Sequence, residues 1–277
     1  MHRSPRRAVR VTALILILGL AAYAHAQFRG REGRFPPRFP PVERTDRGFS
    51  VCRLMYESVR SEPMGMGWRT DYPYAEINLS IRLSELTRTD VSFDDYKEPS
   101  HFVVRLTDDA LFECPFVVAS DAGTVGLNPN EVSRLRTYLL KGGFLWVDDF
   151  WGTAAWAQWE REISRVLPPD DYPITDVPAS DPIFRSLFTV AQVPQITNII
   201  FWRGVGGSTT SERGPDSVDA HFRVIRDDHN RVMVVMTHNT DIADSWEREG
   251  EDPGFFYQFS PNGYAFGINV VLHAMTH

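Results

Sequence analysis

Residues 116–152 read FVVASDAGTVGLNPNEVSRLRTYLLKGGFLWVDDFWG, and this stretch decides the fold class. Its two short apolar runs, 116–120 and 144–147, are typical of strands that are buried on both faces of a sheet. Between them, Asn128 and Pro129 provide an N-cap and a proline at the first helical position, and Gly142 follows the last helical residues. A strand, a helix and a second strand in this order predict two parallel strands joined by a crossover helix.

The same alternation continues on both sides of this stretch. Apolar residues at helical spacing predict helices, and short apolar runs predict strands. The additional elements are a strand at 49–56, a helix at 74–86, a strand at 102–106, a helix at 154–166, a hairpin of 222–226 with 231–236, and a closing helix at 261–275. Together they predict an α/β domain with three layers, α/β/α, and a mainly parallel, flavodoxin-like sheet that carries a β-hairpin near the C-terminal part.

The N-terminal residues have the pattern of a secretory signal. Four arginines lie within residues 1–10, an apolar run spans 11–22, and Ala24-His25-Ala26 is a small-residue cleavage site. The apolar run is shorter than the roughly 20 residues that cross a bilayer, so we expect cleavage and no stable membrane span afterwards. The sequence therefore predicts a signal peptide at 1–26 and an exported protein, periplasmic or secreted.

Two further regions follow the predicted signal. Residues 27–48 are rich in proline and arginine and predict a flexible leader. Residues 49–277 form a single predicted domain. The formal net charge is −7 and becomes about −11 without the four signal arginines, which excludes the basic surface of a nucleic-acid-binding protein.

The two cysteines, Cys52 and Cys114, each lie near the start of a predicted strand. In an oxidising compartment such a pair can form a disulfide. Two buried, inert thiols are an equally good interpretation, so the sequence leaves both states open.

Acidic and aromatic side chains follow the predicted strands where each strand ends. Asp148 and Asp149 come directly after the run 144–147, and His238 and Asp241 come after the run 231–236. Because the carboxyl ends of parallel strands share one edge of a sheet, we expect these side chains to line a crevice there. The other candidate ligand-binding residues are Trp68, Asp121, Trp151 and Trp246.

Carboxylates in such a crevice can act as general bases or bind cations, and imidazole together with carboxylates suits Zn²⁺ or Mn²⁺. Asp148, Asp149 and His238 are therefore the candidate catalytic residues, and Asp148, His238 and Asp241 are the candidate metal ligands. The alternative is that these side chains cap helices and hold turns. The spacing matches no specific metal motif, and the sequence predicts no particular cofactor.

Two common catalytic motifs and one nucleotide-binding motif are missing. The chain contains neither HExxH nor GxSxG, and its glycine-rich segment 204–210 lacks the lysine of a phosphate-binding loop. Ordinary serine-hydrolase, zinc-protease and nucleotide-binding sites are therefore not expected.

Four segments carry a family resemblance: RLMYESVRSEPMGMGWRTDYPYAEINLSIRLSELT (53–87), GGFLWVDDFWG (142–152), MVVMTHNTDIADSWE (233–247) and PNGYAFGINVVLHAM (261–275). Through them, the chain resembles the bacterial family called domain of unknown function 4159 over nearly all of its mature part. Residues 116–152 are also similar to the core of class I glutamine-amidotransferase-like domains. The resemblance implies a flavodoxin-like fold and an association with the cell envelope, but no assigned activity.

Working amidotransferases place a cysteine nucleophile on a sharp turn after a strand. Here Cys52 lies inside a predicted strand and Cys114 precedes one, so the resemblance implies a domain without the nucleophile. The first hypothesis is therefore a non-catalytic binding or assembly module of the cell envelope, with a protein or a glycan as partner. The second is a metal- or carboxylate-dependent hydrolase that acts on carbohydrate or cell-wall material. The sequence leaves open whether the protein is an enzyme.

Overall fold

The computed structural model describes residues 35–41, 46 and 48–276. The predicted signal peptide at 1–26 lies outside the described residues, as does most of the predicted leader. Within the leader, the Arg38 amide donates to the Tyr72 hydroxyl at 3.1 Å, and the Arg38 carbonyl accepts from the Val103 amide at 2.7 Å. The backbone at Arg38 is therefore hydrogen-bonded to the domain, and the flexibility of the leader stays a prediction.

Among the described residues, nine strands form one seven-stranded sheet and one two-stranded sheet. The large sheet has the order β3-β1-β4-β6-β9-β8-β7, and β2 pairs with β5 in the small one. The strands are β1 (Val51–Met55), β2 (Glu57–Ser58), β3 (His101–Arg105), β4 (Phe116–Ala119), β5 (Val125–Gly126), β6 (Phe144–Phe150), β7 (Ile174–Asp176), β8 (His221–Arg226) and β9 (Val232–His238).

Five neighbouring strands of the large sheet, β3, β1, β4, β6 and β9, are parallel. Counted among themselves in chain order, they have the arrangement 2-1-3-4-5 of flavodoxin-like sheets. β8 pairs antiparallel with β9, and β7 pairs antiparallel with β8. The prediction of a mainly parallel sheet with a hairpin towards the C-terminal part is confirmed.

Helices cover both faces of the sheet. Their bounds are α1 (Tyr74–Leu86), α2 (Pro129–Leu140), α3 (Gly152–Val166), α4 (Ile199–Gly204), α5 (Asp244–Glu247) and α6 (Pro253–Thr276). One apolar cluster joins α1 and α6 to one face of the sheet, and a second joins α2 and α3 to the other face. The predicted three-layer α/β/α architecture is confirmed. Among the described residues, no helix combines the length and the apolarity that crossing a bilayer requires.

Local sequence signals explain where the helices begin. α2 starts with a capping box in which Asn128 accepts from the Glu131 amide and Glu131 accepts from the Asn128 amide. The closing helix was expected to begin at Pro261, but it begins at Pro253, and Pro261 lies inside it. The reason is Asp252, whose carboxylate accepts from the amides of Gly254 and Phe255.

β6 and β9 are longer than predicted. β6 continues through Asp148 and Asp149 to Phe150, and β9 continues to His238. Asp148, Asp149 and His238 were expected to follow their strands, but they belong to the last residues of the strands. The side-chain direction of His238 is therefore set by strand geometry and not by a loop.

A disulfide joins Cys52 of β1 to Cys114, two residues before β4. Both cysteines are buried within the apolar cluster that includes α2 and α3. The bridge therefore ties β1 to the segment that leads into its neighbour β4.

We predict that the disulfide contributes strongly to stability. Its cysteines are 62 residues apart, and closing a loop of that length stabilises a fold by about 4 kcal/mol in the chain-entropy model. Urea unfolding of the C52A/C114A variant should show a free energy of unfolding lower by about this amount. As a control, dithiothreitol should destabilise the wild-type chain and leave the variant unchanged. Equal unfolding midpoints for the oxidised wild type and the variant would contradict the prediction.

Candidate functional site

The carboxyl ends of four parallel strands bring several carboxylates to one edge of the sheet. Asp71 lies in the connection between β1 and α1, Asp121 follows β4, Asp148 and Asp149 are among the last residues of β6, and Asp241 follows β9. We call these five residues the acidic edge. It includes the topological switch point between β1 and β4, where ligands of open α/β sheets bind.

A bulge at the end of β6 positions the two adjacent aspartates. The pairing of β6 with β9 shifts between Val147 and Phe150, and Asp149 has a φ of 53°. Val147 and Phe150 both belong to the apolar cluster on the α2–α3 face. The bulge thus leaves Asp148 and Asp149 outside that cluster, at the edge of the sheet.

Asp148 is buried, and both of its carboxylate oxygens are bound. One accepts from the Thr237 hydroxyl at 2.5 Å and the other from the Ala243 amide at 2.9 Å. Burial raises the pKa of Asp148 to about 7. Asp148 therefore links β6 to β9 and to the start of α5, and each of its carboxylate oxygens already accepts a hydrogen bond.

The helix that follows β6 is capped by residues from elsewhere in the chain. The Gly152 amide donates to Asn239 at 2.8 Å, and the Thr153 amide donates to Asp216 at 2.9 Å. The interpretation of Asp148 or Asp149 as the cap of this helix therefore does not match the structure.

Asp71 is held by a polar network that is buried beneath the acidic edge. The Ser120 hydroxyl donates to Asp71 at 2.9 Å, and the Arg53 guanidinium donates to Ser120 at 2.5 Å. Arg53 also forms an ion pair with Glu76 of α1. Burial raises the pKa of Asp71, and the charge of Arg53 opposes this rise.

Asp241 is fully buried and has one bound and one unbound carboxylate oxygen. Its Oδ1 accepts from the Asp244 amide at 2.8 Å. Its Oδ2 has no hydrogen-bond partner among the described residues. Burial, and then the charges of nearby carboxylates, Asp149 foremost, raise the pKa of Asp241 well above its usual value.

Two groups among the described residues place carboxylate oxygens close enough to share a metal ion. The first is Asp71, Asp149 and Asp241, and the second is Asp71, Asp244 and Glu247. In each group the ligand atoms lie within 4.8 Å of one another. The second group is compensated by Arg248, which forms ion pairs with both Asp244 and Glu247.

His238 lies on the opposite face of the sheet from Thr237, the partner of Asp148. The centroid of its ring is 5.0 Å from that of Phe150 and 5.3 Å from that of Trp156. Its Nε2 is 3.1 Å from the Gly152 carbonyl oxygen. Burial lowers the pKa of His238 to about 4, so the ring is neutral at pH 7. His238, Asp148 and Asp241 were expected to share a metal ion, but neither group of possible metal ligands includes His238 or Asp148.

The three candidate tryptophans have different environments. Trp151 is buried at the acidic edge and donates from Nε1 to Asp149 at 3.0 Å. Trp68 is half-buried, lies under the guanidinium of Arg69 and contacts the ring of Tyr72. Trp246 is packed within the core, where its ring contacts those of Trp146 and Tyr264.

A small cleft opens at the acidic edge. Four carboxyl groups and one guanidinium are among its walls, so acidic groups outnumber basic ones. Burial raises the pKa of Asp121 to about 7 and also raises the pKa of Glu212. The cleft is lined by Glu62, Pro63, Met64, Gly65, Asp121, Asp149, Trp151, Asn198, Glu212 and Arg213.

The sequence indicated neither Glu212 nor Arg53 as part of this site, and it did not indicate Asp71 as a metal ligand. Glu212 lies in a long segment between α4 and β8 and binds the Asn198 amide at 2.7 Å. Arg53 gives a usable signal, because a charged residue within an apolar strand requires a buried partner. Asp71 stands among aromatic residues in the sequence, and nothing near it there indicates a metal ligand.

We predict that His238 makes stability depend on pH. Its pKa is near 6.5 in the unfolded chain and about 4 in the folded one, so the stabilisation is complete above pH 6.5 and is lost as the pH falls towards 4. The H238Q variant keeps an N–H donor for the Gly152 carbonyl and has no such titration.

The measurement is the free energy of unfolding in urea at pH 7 and at pH 5 for both proteins. The wild type should lose about 2 kcal/mol more than H238Q between these values. The buried carboxylates act in the opposite direction, because their raised pKa values favour the fold at low pH, so the difference between the two proteins is the readout. A difference that stays constant with pH would contradict the prediction.

Comparison with known proteins adds one assignment. A search of curated proteins finds no match to this chain. The family model described as domain of unknown function (DUF4159) matches residues 51–275, which include every strand and helix described above except the last residue of α6. The chain therefore belongs to the DUF4159 family.

Proposed function

We propose that this protein is an exported, amidotransferase-like binding module of the bacterial cell envelope that does not use a thiol nucleophile. Its ligand site is the cleft at the acidic edge. The observation that carries this proposal is the concentration of four carboxylates around that cleft, next to the switch point of a flavodoxin-like sheet. An envelope protein or glycan that carries positive charge is the partner that such a cleft favours.

The state of the two cysteines supports a module without thiol catalysis. Both sulfurs are engaged in the disulfide and are buried in an apolar cluster. A catalytic thiol must be accessible and free to ionise. The disulfide also supports export, because such bonds persist mainly in oxidising compartments.

The second candidate function is a metal- or carboxylate-dependent hydrolase of carbohydrate or cell-wall material. One observation favours it, namely the convergence of Asp71, Asp149 and Asp241 at the edge where catalytic residues of such folds lie. His238 was expected to supply the ligand or acid of this mechanism. Its position on the other face of the sheet does not support that part of the hypothesis.

We predict that the full chain is exported and processed. Expressed in a Gram-negative bacterium, it should appear in the periplasmic fraction as a shorter form that begins near Gln27, with no free thiol. A chain without residues 1–26 should stay in the cytoplasm with both thiols reduced, because that compartment keeps cysteines reduced. Retention of the full chain in the cytoplasm would contradict export.

We predict that the protein binds cell envelopes through its cleft. The purified chain should sediment with isolated envelopes at low salt and should be released at high salt, since charge attraction is screened. The D121N/E212Q variant should lose this binding. The side-chain amide oxygen that takes the place of Glu212 Oε1 in this variant can still accept from Thr197 and Asn198, as Oε1 does in the wild type.

The matched control is D170N/D228N, which removes two charges at exposed positions away from the cleft. It should bind like the wild type. Purified peptidoglycan in place of envelopes identifies a glycan partner, and release of soluble sugar that requires Asp149 would favour the hydrolase. Binding that is absent, or that is equal in all three proteins, would contradict the cleft as the ligand site.

A further inference from the structure

We infer that Asp71, Asp149 and Asp241 form a binding site for one hard divalent cation, such as Mg²⁺, Mn²⁺ or Ca²⁺. The inference deepens the proposed function and rests on it, because it names a ligand for the same edge of the sheet. It starts from geometry. One carboxylate oxygen from each residue lies within 4.8 Å of the other two. Three such points lie within roughly 2.8 Å of a common centre, close to the 2.3–2.6 Å of Ca²⁺–oxygen bonds.

An unpartnered buried oxygen points to a ligand independently of this clustering. Asp241 is fully buried, yet its Oδ2 has no hydrogen-bond partner among the described residues. Buried polar atoms are nearly always satisfied, and a buried ionised oxygen requires a cation or a donor. A metal ion shared with Asp71 and Asp149 supplies what Oδ2 lacks.

The nearby arginines form their ion pairs with other carboxylates, although Nη2 of Arg53 has no hydrogen-bond partner among the described residues. Arg53 donates to Glu76 and to Ser120, and Arg248 is paired with Asp244, Glu247 and Glu251. These contacts compensate the second group of carboxylates but not Asp149 or Asp241. Among the described residues, Asp149 and Asp241 therefore have no ion pair with an arginine, and within the first group the charge of Arg53 acts mainly on Asp71.

Each of the three carboxylates is also oriented by a hydrogen bond from the protein. Ser120 donates to Asp71, Trp151 donates to Asp149, and the Asp244 amide donates to Asp241, at distances of 2.8–3.0 Å. Such outer contacts fix ligands in metal sites. The half-buried Asp149 also lines the cleft, which gives an ion a route from solvent.

The chemistry of the donors selects the class of metal. All three are carboxylates, and neither histidine nor cysteine takes part. Oxygen-only sites suit Mg²⁺, Ca²⁺ and Mn²⁺, whereas Zn²⁺ sites in proteins usually include nitrogen or sulfur. The remaining coordination positions are expected to hold water, as is usual for ions bound by few carboxylates.

The test uses the purified, chelator-treated chain with Mg²⁺, Mn²⁺ or Ca²⁺ as the probe. Calorimetric titration and elemental analysis after dialysis should show one ion per chain. The D241N variant keeps the Oδ1 that accepts from the Asp244 amide and replaces the unpartnered oxygen with an N–H donor. Its affinity should fall by more than the roughly 10–100-fold that loss of an outer contact costs. D121N removes one charge at the same edge but no ligand, so its affinity should change less than about tenfold.

Thermal unfolding separates a metal site from a merely structural carboxylate. With chelator, D241N should melt at or above the wild-type temperature, because it loses a buried repulsive charge. With the divalent ion, the wild type should gain stability by mass action and D241N should not. The inference would be overturned if D241N melted below the wild type in chelator and if the ion raised the melting temperatures of both proteins equally. The D149N variant provides the same comparison if D241N does not fold.

The result is independent of the envelope-binding experiment. Envelope binding that persists in chelator, together with no bound ion, would overturn the metal site and leave the proposed function standing. Ion binding that requires Asp241, together with no envelope binding, would support the metal site and contradict the proposed function. The metal site would also be overturned if the dissociation constants of all three ions lay above the millimolar range. The same conclusion would follow if neither D241N nor D149N changed the affinity.

Discussion

The fully buried side chain of Arg53 holds β1, the end of β4 and α1 together. Its guanidinium binds Glu76 of α1 and the Ser120 hydroxyl at the end of β4, while its backbone belongs to β1. A charge removed from water is tolerated only when it is paired and hydrogen-bonded, so these three elements must meet around it. Burial disfavours the charged form of Arg53, but the neighbouring acids Glu76 and Asp71 raise its pKa, so it stays charged. The guanidinium of Arg53 is thus a permanently charged, buried group next to the acidic edge.

Strand geometry then divides β6 and β9 into two chemical environments. Thr237 faces Trp146 and Asp148 on one side of the sheet, and the next residue, His238, faces Phe150 and Trp156 on the other. Regular alternation would also have separated the two aspartates of β6. The bulge there prevents this and leaves Asp149 close to Asp71 and Asp241. The extra residue at the bulge in β6 therefore determines which carboxylates lie close to one another.

Much of this architecture was predictable, because it follows from local patterns. The capping box at Asn128 and the apolar runs on either side of it indicate the parallel pair, and the helix at 74–86 has the predicted bounds. The site was predicted less well. The location of the site at the strand ends follows from topology. A bulge, however, has no clear signature in a sequence. Because the bulge in β6 was not predicted, His238 was expected to face the aspartates. Asp71 reaches the site through a long connection after β1, whose path depends on tertiary contacts such as that with Ser120.

The acidic edge and the adjoining α5 show three different ways of stabilising buried carboxylates. Asp148 is stabilised by hydrogen bonds from Thr237 and Ala243, and Asp244 is compensated by Arg248. Asp149 and Asp241 have raised pKa values because burial and mutual repulsion act on both, and no arginine pairs with them among the described residues. Such a pair is stable only if it takes up protons or a cation. In a merely structural core, apolar residues of similar volume are as stable at such positions or more so. The presence of uncompensated acids beside an open cleft is therefore better explained by a ligand than by folding.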